Sequence, residues 1–214
     1  MKLVSLQLTM AVLAFAISAW SAVTHAQTPP GATADDRLSS LTQTVSRFEN
    51  NLLLLAEALP ADQFDFALSK EIFKPNSAAE FATVRTFAQQ LTHICAEPYR
   101  QFAPFGVNPD TKVDLQSLDA LSKKDEIIKA LKESFTYQDK VIASITPENA
   151  FIPAGPRNAT RISALIATLS DDGDHYGQMV EYLRMNGVIP PATVSKRRRM
   201  SQATTAVVTR QGCN

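Results

Sequence analysis

Scarcity is the first property of this sequence. Its 214 residues hold seven glycines, two cysteines, three histidines and one tryptophan. No glycine-rich loop is present to cradle a phosphate, so nucleotide binding lacks its usual sequence support. No Gly-x-Ser-x-Gly elbow occurs, which removes the common nucleophilic-serine pattern. The single tryptophan, Trp20, falls in an N-terminal apolar run, leaving paired-carboxylate glycosidase chemistry without an aromatic platform. An excess of charge is also missing: 21 basic residues balance 21 acidic ones, and the long-range field of a nucleic-acid binder is absent. No stretch alternates apolar and polar residues in the manner of a strand.

What is present begins with a leader. Met1-Lys2 is a short basic start, Leu3 to Val23 is mostly apolar, and Thr24-His25-Ala26 ends in a small residue before Gln27. This pattern predicts a secretory signal peptide over 1–26 and an exported, periplasmic or secreted protein. The competing reading is an N-terminal anchor, because the apolar run approaches the roughly 20 residues that span a bilayer. The small residues and the polar run from Gln27 to Gly31 favour cleavage, leaving no stable membrane span. Residues 27–35 read as a flexible linker. Residues 194–214 read as a basic tail in which Lys196-Arg197-Arg198-Arg199 is solvated and disordered rather than a nucleic-acid or lipid contact. In an exported chain Cys95 and Cys213 are able to pair, but Cys95 has apolar helical neighbours and Cys213 is the penultimate residue. They are expected as one buried and one exposed free thiol.

Between linker and tail, residues 36–193 predict an all-α four-helix bundle with a long crossover between its second and third helices. Leu38, Leu41, Val45, Phe48, Leu52, Leu55 and Leu59 step by three and four, placing one apolar face on a helix from Asp36 to Leu59, ended by Pro60. A second helix is expected from Ser77 to Phe102, capped by Asn76 or Ser77, with Phe81, Val84, Phe87, Leu91, Ile94 and Cys95 as its stripe. Pro98 should kink or divide it. The polar stretch from Pro104 to Leu121 is the crossover, and Ser122 is expected to cap a third helix through Ile145. A fourth starts near Asn158, carries Ile162, Leu165, Ile166, Leu169, Val180 and Leu183, and ends at Gly187 before Pro190-Pro191.

At about 100° per residue, His93 lies roughly 160° from the centre of its helix's apolar stripe and shares a polar face with Thr86, Gln90 and Glu97. On the fourth helix Asp171, His175, Gln178 and Tyr182 form a second, polar face. Asp171 stands four residues before His175 and Asp172 three, so either carboxylate overlies the same surface as the imidazole. If the two polar faces meet at one mouth of the bundle, His93, His175 and one of these carboxylates form a site for a divalent ion. Zinc, nickel, iron or manganese would suit it. A solvated acidic turn over Asp171-Asp172-Gly173-Asp174 is the plain alternative. Cys95 lies about 200° from His93, so the two do not share a face for nucleophilic chemistry.

The run His175-Tyr176-Gly177-Gln178, then Tyr182-Leu183-Arg184, Asn186-Gly187 and Pro190-Pro191, resembles the last helix of the DinB-like family of metal-binding four-helix bundles. The resemblance extends to Pro60 through Phe64, Arg85-Thr86-Phe87 and Gly155 through Arg161. It implies a ligand histidine on the second helix, matched by His93, and two histidines four apart on the fourth. His175 matches the second of that pair, and Asp171 stands in place of the first. The implied set is therefore His93, Asp171 and His175. It also implies pairing as a homodimer. Metal-assisted hydrolysis or thiol transfer of an unidentified small molecule follows as the expected activity, and a non-catalytic binding or structural bundle is the competing one. Low-molecular-weight thiols are scarce outside the cytoplasm, which disfavours transfer in an exported protein. Gly177 is expected at a close helix contact, Tyr182 in packing and Arg184 in a surface ion pair.

The leader yields the first test: N-terminal sequencing of the exported protein should begin near Gln27, whereas retention of Met1 would defeat cleavage and favour the anchor.

Overall fold

Helix periodicity translates directly into the architecture. The computed structural model describes residues 34–69, 71, 81–197 and 199, with the backbone alone for 34–38. The leader, most of the linker, Asn76, Ser77, Cys213 and the end of the tail lie outside the described residues. Among the described residues the regular elements are all helical and none is a strand. The helices are α1 (Ala34–Ala58), α2 (Phe87–Phe102), the short α3 (Leu115–Asp119), α4 (Lys124–Ala143) and α5 (Arg161–Met185). No helix among the described residues is long and apolar enough to cross a membrane.

Each start and stop has a local cause. On α1, Val45, Leu52 and Leu55 are buried, while Leu41 and Phe48 are half-buried. A 3-10 turn at Ala61–Gln63 follows Pro60. Lys124 at the start of α4 donates to the carbonyls of Glu57 (2.8 Å) and Leu59 (2.6 Å), which satisfies acceptors that the end of α1 leaves open.

The second helix corrects the sequence reading. α2 starts at Phe87, and residues 81–86 are turn and extended backbone. The proposed caps Asn76 and Ser77 lie outside the described residues. Thr86 is the cap: its hydroxyl accepts from the Gln89 N–H at 3.1 Å, and the Gln89 side chain accepts from the Thr86 N–H at 2.9 Å. This is a capping box. The N–H groups of Phe87 and Ala88 donate to the carbonyls of Phe66 and Phe64 at 2.9 and 2.8 Å, fastening the start to the loop after α1. Pro98 does not divide α2, which runs through it to Phe102.

Within the crossover, the chain forms a 3-10 turn at Ala103–Phe105 and then α3. Ser122 does not cap α4. Lys123 holds that position without a side-chain hydrogen bond, and Asp125 and Glu126 in the first turn complement the helix dipole instead. α5 is capped by a Thr160–Ser163 box. At its far end Gly187, at φ +74°, closes the helix, with the Val188 N–H donating to the Leu183 carbonyl at 2.9 Å. Residues 191–197, starting at Pro191, are again helical, so residues 194–197 of the expected disordered tail are helix instead.

Two apolar clusters fill the interior. One gathers Leu52 and Leu55 of α1, Leu91 and Ile94 of α2, Leu131 of α4 and Met179 and Leu183 of α5. The other gathers Val45, Phe102, Val141, Ile142 and Leu165. In each long helix a buried polar residue falls between or beside the contributions to the two clusters: Glu49, Glu97, Gln138 and Asp172. The core is therefore crossed by a polar layer.

Leu52 is fully buried, so Leu52→Ala should lower the urea-unfolding free energy by about 2–5 kcal/mol. Ile166→Ala, at a position 61% exposed, should cost less than about 0.5 kcal/mol. Equal losses at the two positions would contradict this packing.

Candidate metal centre

Five of the six residues of the predicted α5 stripe pack into the core, Leu165 and Leu183 fully and Ile162, Leu169 and Val180 in part, but the buried face extends beyond that stripe. Leu165, Thr168, Asp172, His175, Met179 and Tyr182 are buried, stepping by three and four along one side. Ile166, expected in the stripe, is exposed, as is Gln178, which donates to Asp174 at 2.7 Å. The expected second face is split: His175 and Tyr182 point inward, Gln178 outward, and Asp171 sits at the boundary. Polar residues occupy much of the packing face, so apolar spacing alone could not locate it. Gly177 is also corrected. A Cβ there would meet nothing within 4 Å, so no close helix contact requires it. Tyr182 packs inside and donates its hydroxyl to the Arg85 carbonyl at 3.0 Å, and Arg184 pairs with Glu181 on the surface.

α2 packs against α5, which brings His93 to the other two residues. His93 Nε2 lies 3.2 Å from Asp171 Oδ2, and His175 Nε2 lies 3.7 Å from the same oxygen. The two imidazoles meet edge to face with centroids 4.9 Å apart. One ligand atom from each of His93, Asp171 and His175 falls within 4.8 Å of the others, a grouping able to hold a metal ion. For comparison, tetrahedral bonds of about 2.0–2.1 Å place ligand atoms about 3.3 Å apart. The carboxylate in this group is Asp171, the one that the resemblance implies. Asp172 is not part of the group.

Burial grades the site from inside to outside. The side chains of His175, His93 and Asp171 are 5%, 23% and 35% exposed. His175 Nδ1 is 3.0 Å from Gln90 Oε1. An amide oxygen only accepts, so Nδ1 carries the hydrogen and Nε2 presents its lone pair toward Asp171. Gln90 had been placed on the polar face of α2; the structure gives it the task of orienting the imidazole. Burial lowers the pKa of His175, the neighbouring His93 and Arg85 push the same way, and Asp171 opposes them. Asp171 Oδ2 is itself buried and makes no hydrogen bond.

Behind the trio stands the polar layer, which the sequence reading did not foresee. Gln138 donates to Glu49 at 3.0 Å. Asp172 Oδ1, Ser134 Oγ and Gln138 Oε1 are buried without partners. Burial, then Asp171, Glu49 and Glu97, push the Asp172 carboxyl up to about 8. Glu49 is pushed up to about 7 by burial and then by Asp139, against the hydrogen bond from Gln138. Polar residues at buried heptad-like positions were the available signal. Cys95 is a buried free thiol whose pKa burial raises well above its ordinary value, which makes it inert.

The raised carboxyls set a pH dependence. Glu49 binds its proton more tightly when folded, so its contribution is complete below 4.5 and disappears as pH rises through about 7. That contribution is on the order of 3 kcal/mol. His175 acts oppositely: its folded pKa is depressed, and stability falls as pH drops below 6.5. In urea unfolding at pH 5 and pH 8, Glu49→Gln should be less sensitive than the parent to the upward step. An identical loss in both proteins would contradict the assignment.

Neither family models nor curated proteins match this chain. A solved structure does: a DinB-like protein from Bacillus cereus ATCC 10987 aligns over 72% of this chain and 95% of its own, at a TM-score of 0.58 and 12% sequence identity. At that identity the likeness concerns the course of the backbone, and it agrees with the motif resemblance in α5. The chain has a DinB-like all-α fold.

Proposed function

We propose that this chain is an exported DinB-like protein that binds one divalent metal ion through His93 Nε2, Asp171 Oδ2 and His175 Nε2 and uses it to hydrolyse a small molecule. The observation that carries this reading is Asp171 Oδ2, buried, without a hydrogen bond, and facing the Nε2 atoms of two histidines. On His175 the Nε2 lone pair and the carboxylate oxygen are both acceptors. A cation or a hydrogen-bond donor between them relieves that repulsion. A proton on His175 is disfavoured because burial lowers its pKa, so a metal ion meets the need better.

The residues divide the work by burial. His175, held by Gln90, fixes the inner edge of the site, while His93 and Asp171 border its accessible side. An ion with an open position there would supply a Lewis acid and an activated water. Zinc, nickel, iron and manganese all accept two imidazoles and a carboxylate. Export favours hydrolysis over thiol transfer, and association into a homodimer belongs to the same proposal. The reading as a non-catalytic bundle has one observation in its favour: His93 and Asp171 form a 3.2 Å ion pair if His93 is protonated.

Metal analysis of the purified full chain separates the two readings. One ion per chain is expected, with stoichiometry lost in Asp171→Ala and His175→Ala. Gln90→Leu should weaken binding about 10–100-fold by freeing the imidazole. A His175→Ala protein that retained stoichiometric metal with unchanged affinity would overturn the proposal.

A further inference from the structure

Beside His93 the surface opens into a cleft of about 550 Å³, lined by Thr83, Arg85, Gln89, Thr92, Arg100 and Asp119 among others. Among the described residues that line it, Arg85 and Arg100 face one carboxylate, Asp119. Arg100 is committed to Asp119 at 2.7 Å. Arg85 has no carboxylate partner among the described residues and is exposed. Among the described residues, one exposed guanidinium without a carboxylate partner therefore lies in the cleft that His93 borders. Thr83, Gln89 and Thr92 supply neutral polar groups around it.

The start of α2 is also here, but its backbone donors are already committed. Phe87 and Ala88 donate to Phe66 and Phe64, Gln89 donates to the Thr86 hydroxyl, and Gln90 donates to the Thr86 carbonyl. Recognition of an anion thus falls to the Arg85 side chain. Its position is fixed independently of that side chain, because the Arg85 carbonyl accepts from the buried Tyr182 on α5. Arg85 and His93 line the same cleft, so one small ligand can reach both.

We propose that this cleft is a subsite for the carboxylate of a small-molecule ligand, with Arg85 as its recognition residue and the reacting end of the ligand at the His93 edge of the metal centre. A single free guanidinium matches a monoanion, and its planar fork matches the two oxygens of a carboxylate. The subsite rests on the metal-centre reading and adds the substrate class: a carboxylate-bearing molecule whose reactive group lies several bonds from that carboxylate.

Two probes that differ only in charge test it: adipic acid monohydroxamate and its neutral terminal amide, titrated calorimetrically into the zinc-loaded full chain at pH 7.5. The hydroxamate group anchors each to the ion. The carboxylate form should bind about tenfold more tightly, equivalent to about 1.4 kcal/mol. Arg85→Gln should abolish that preference without changing metal content or the amide's affinity, and Arg85→Lys should keep part of it. Equal affinities for both probes in the parent protein, or an undiminished preference in Arg85→Gln, would overturn the subsite while leaving the metal centre standing. Failure of both probes in a chain that retains no metal would overturn the metal reading and this inference with it.

Discussion

An imidazole lies inside a helix-packing face, and that constraint governs much of the interior. His175 is only 4% exposed, and its Nδ1 finds Gln90 of the neighbouring helix at 3.0 Å. A buried polar group without a partner costs about 1–3 kcal/mol, so this bond ties the rotation of α5 to that of α2. Once α5 is so turned, Asp172 and Thr168 also face inward. The interior must then accommodate them, and Glu49, Ser134 and Gln138 from the facing helices form the corresponding polar layer. The layer interrupts what would otherwise be one continuous apolar core.

The same rotation creates the site. Asp171 and His175 are one helical turn apart, and the packing of α2 against α5 sets His93 opposite them. All three residues sit on helices, whereas the adjoining cleft is lined partly by residues 82–85 of the turn before α2. Electrostatics then act in a fixed direction. Burial disfavours charge on His175 and on the carboxyls behind it, while Asp171 stands at the boundary with solvent. A divalent ion would concentrate positive charge at the point where the acceptors converge. Arg85 lies exposed in the adjoining cleft, which His93 also lines.

Much of this was readable from residues alone. The leucine ladder of α1, the left-handed Gly187 and the three residues of the trio were all placed by spacing or by resemblance. Other features were misplaced for identifiable reasons. The start of α2 was set too early because Phe81 and Val84 continue its apolar rhythm, yet the Thr86–Gln89 box and the bonds to Phe64 and Phe66 fix the first turn ten residues later. The buried face of α5 is wider than its apolar stripe, because apolar periodicity does not mark Thr168, Asp172 and His175 as packing residues. Helical spacing alone does not separate Asp171 from Asp172, since both overlie His175, and only the resemblance favours Asp171; which one meets His93 depends on how the two helices pack, a tertiary property.

The central claim is that His93, Asp171 and His175 converge because they share an ion. Crystals of the zinc-loaded protein, measured on both sides of the zinc absorption edge, test it most directly. An anomalous peak within about 2.0–2.2 Å of His93 Nε2, Asp171 Oδ2 and His175 Nε2 is the expected result. Zinc bound elsewhere, with the Asp171 carboxylate still lying between two uncoordinated imidazoles, would contradict the account.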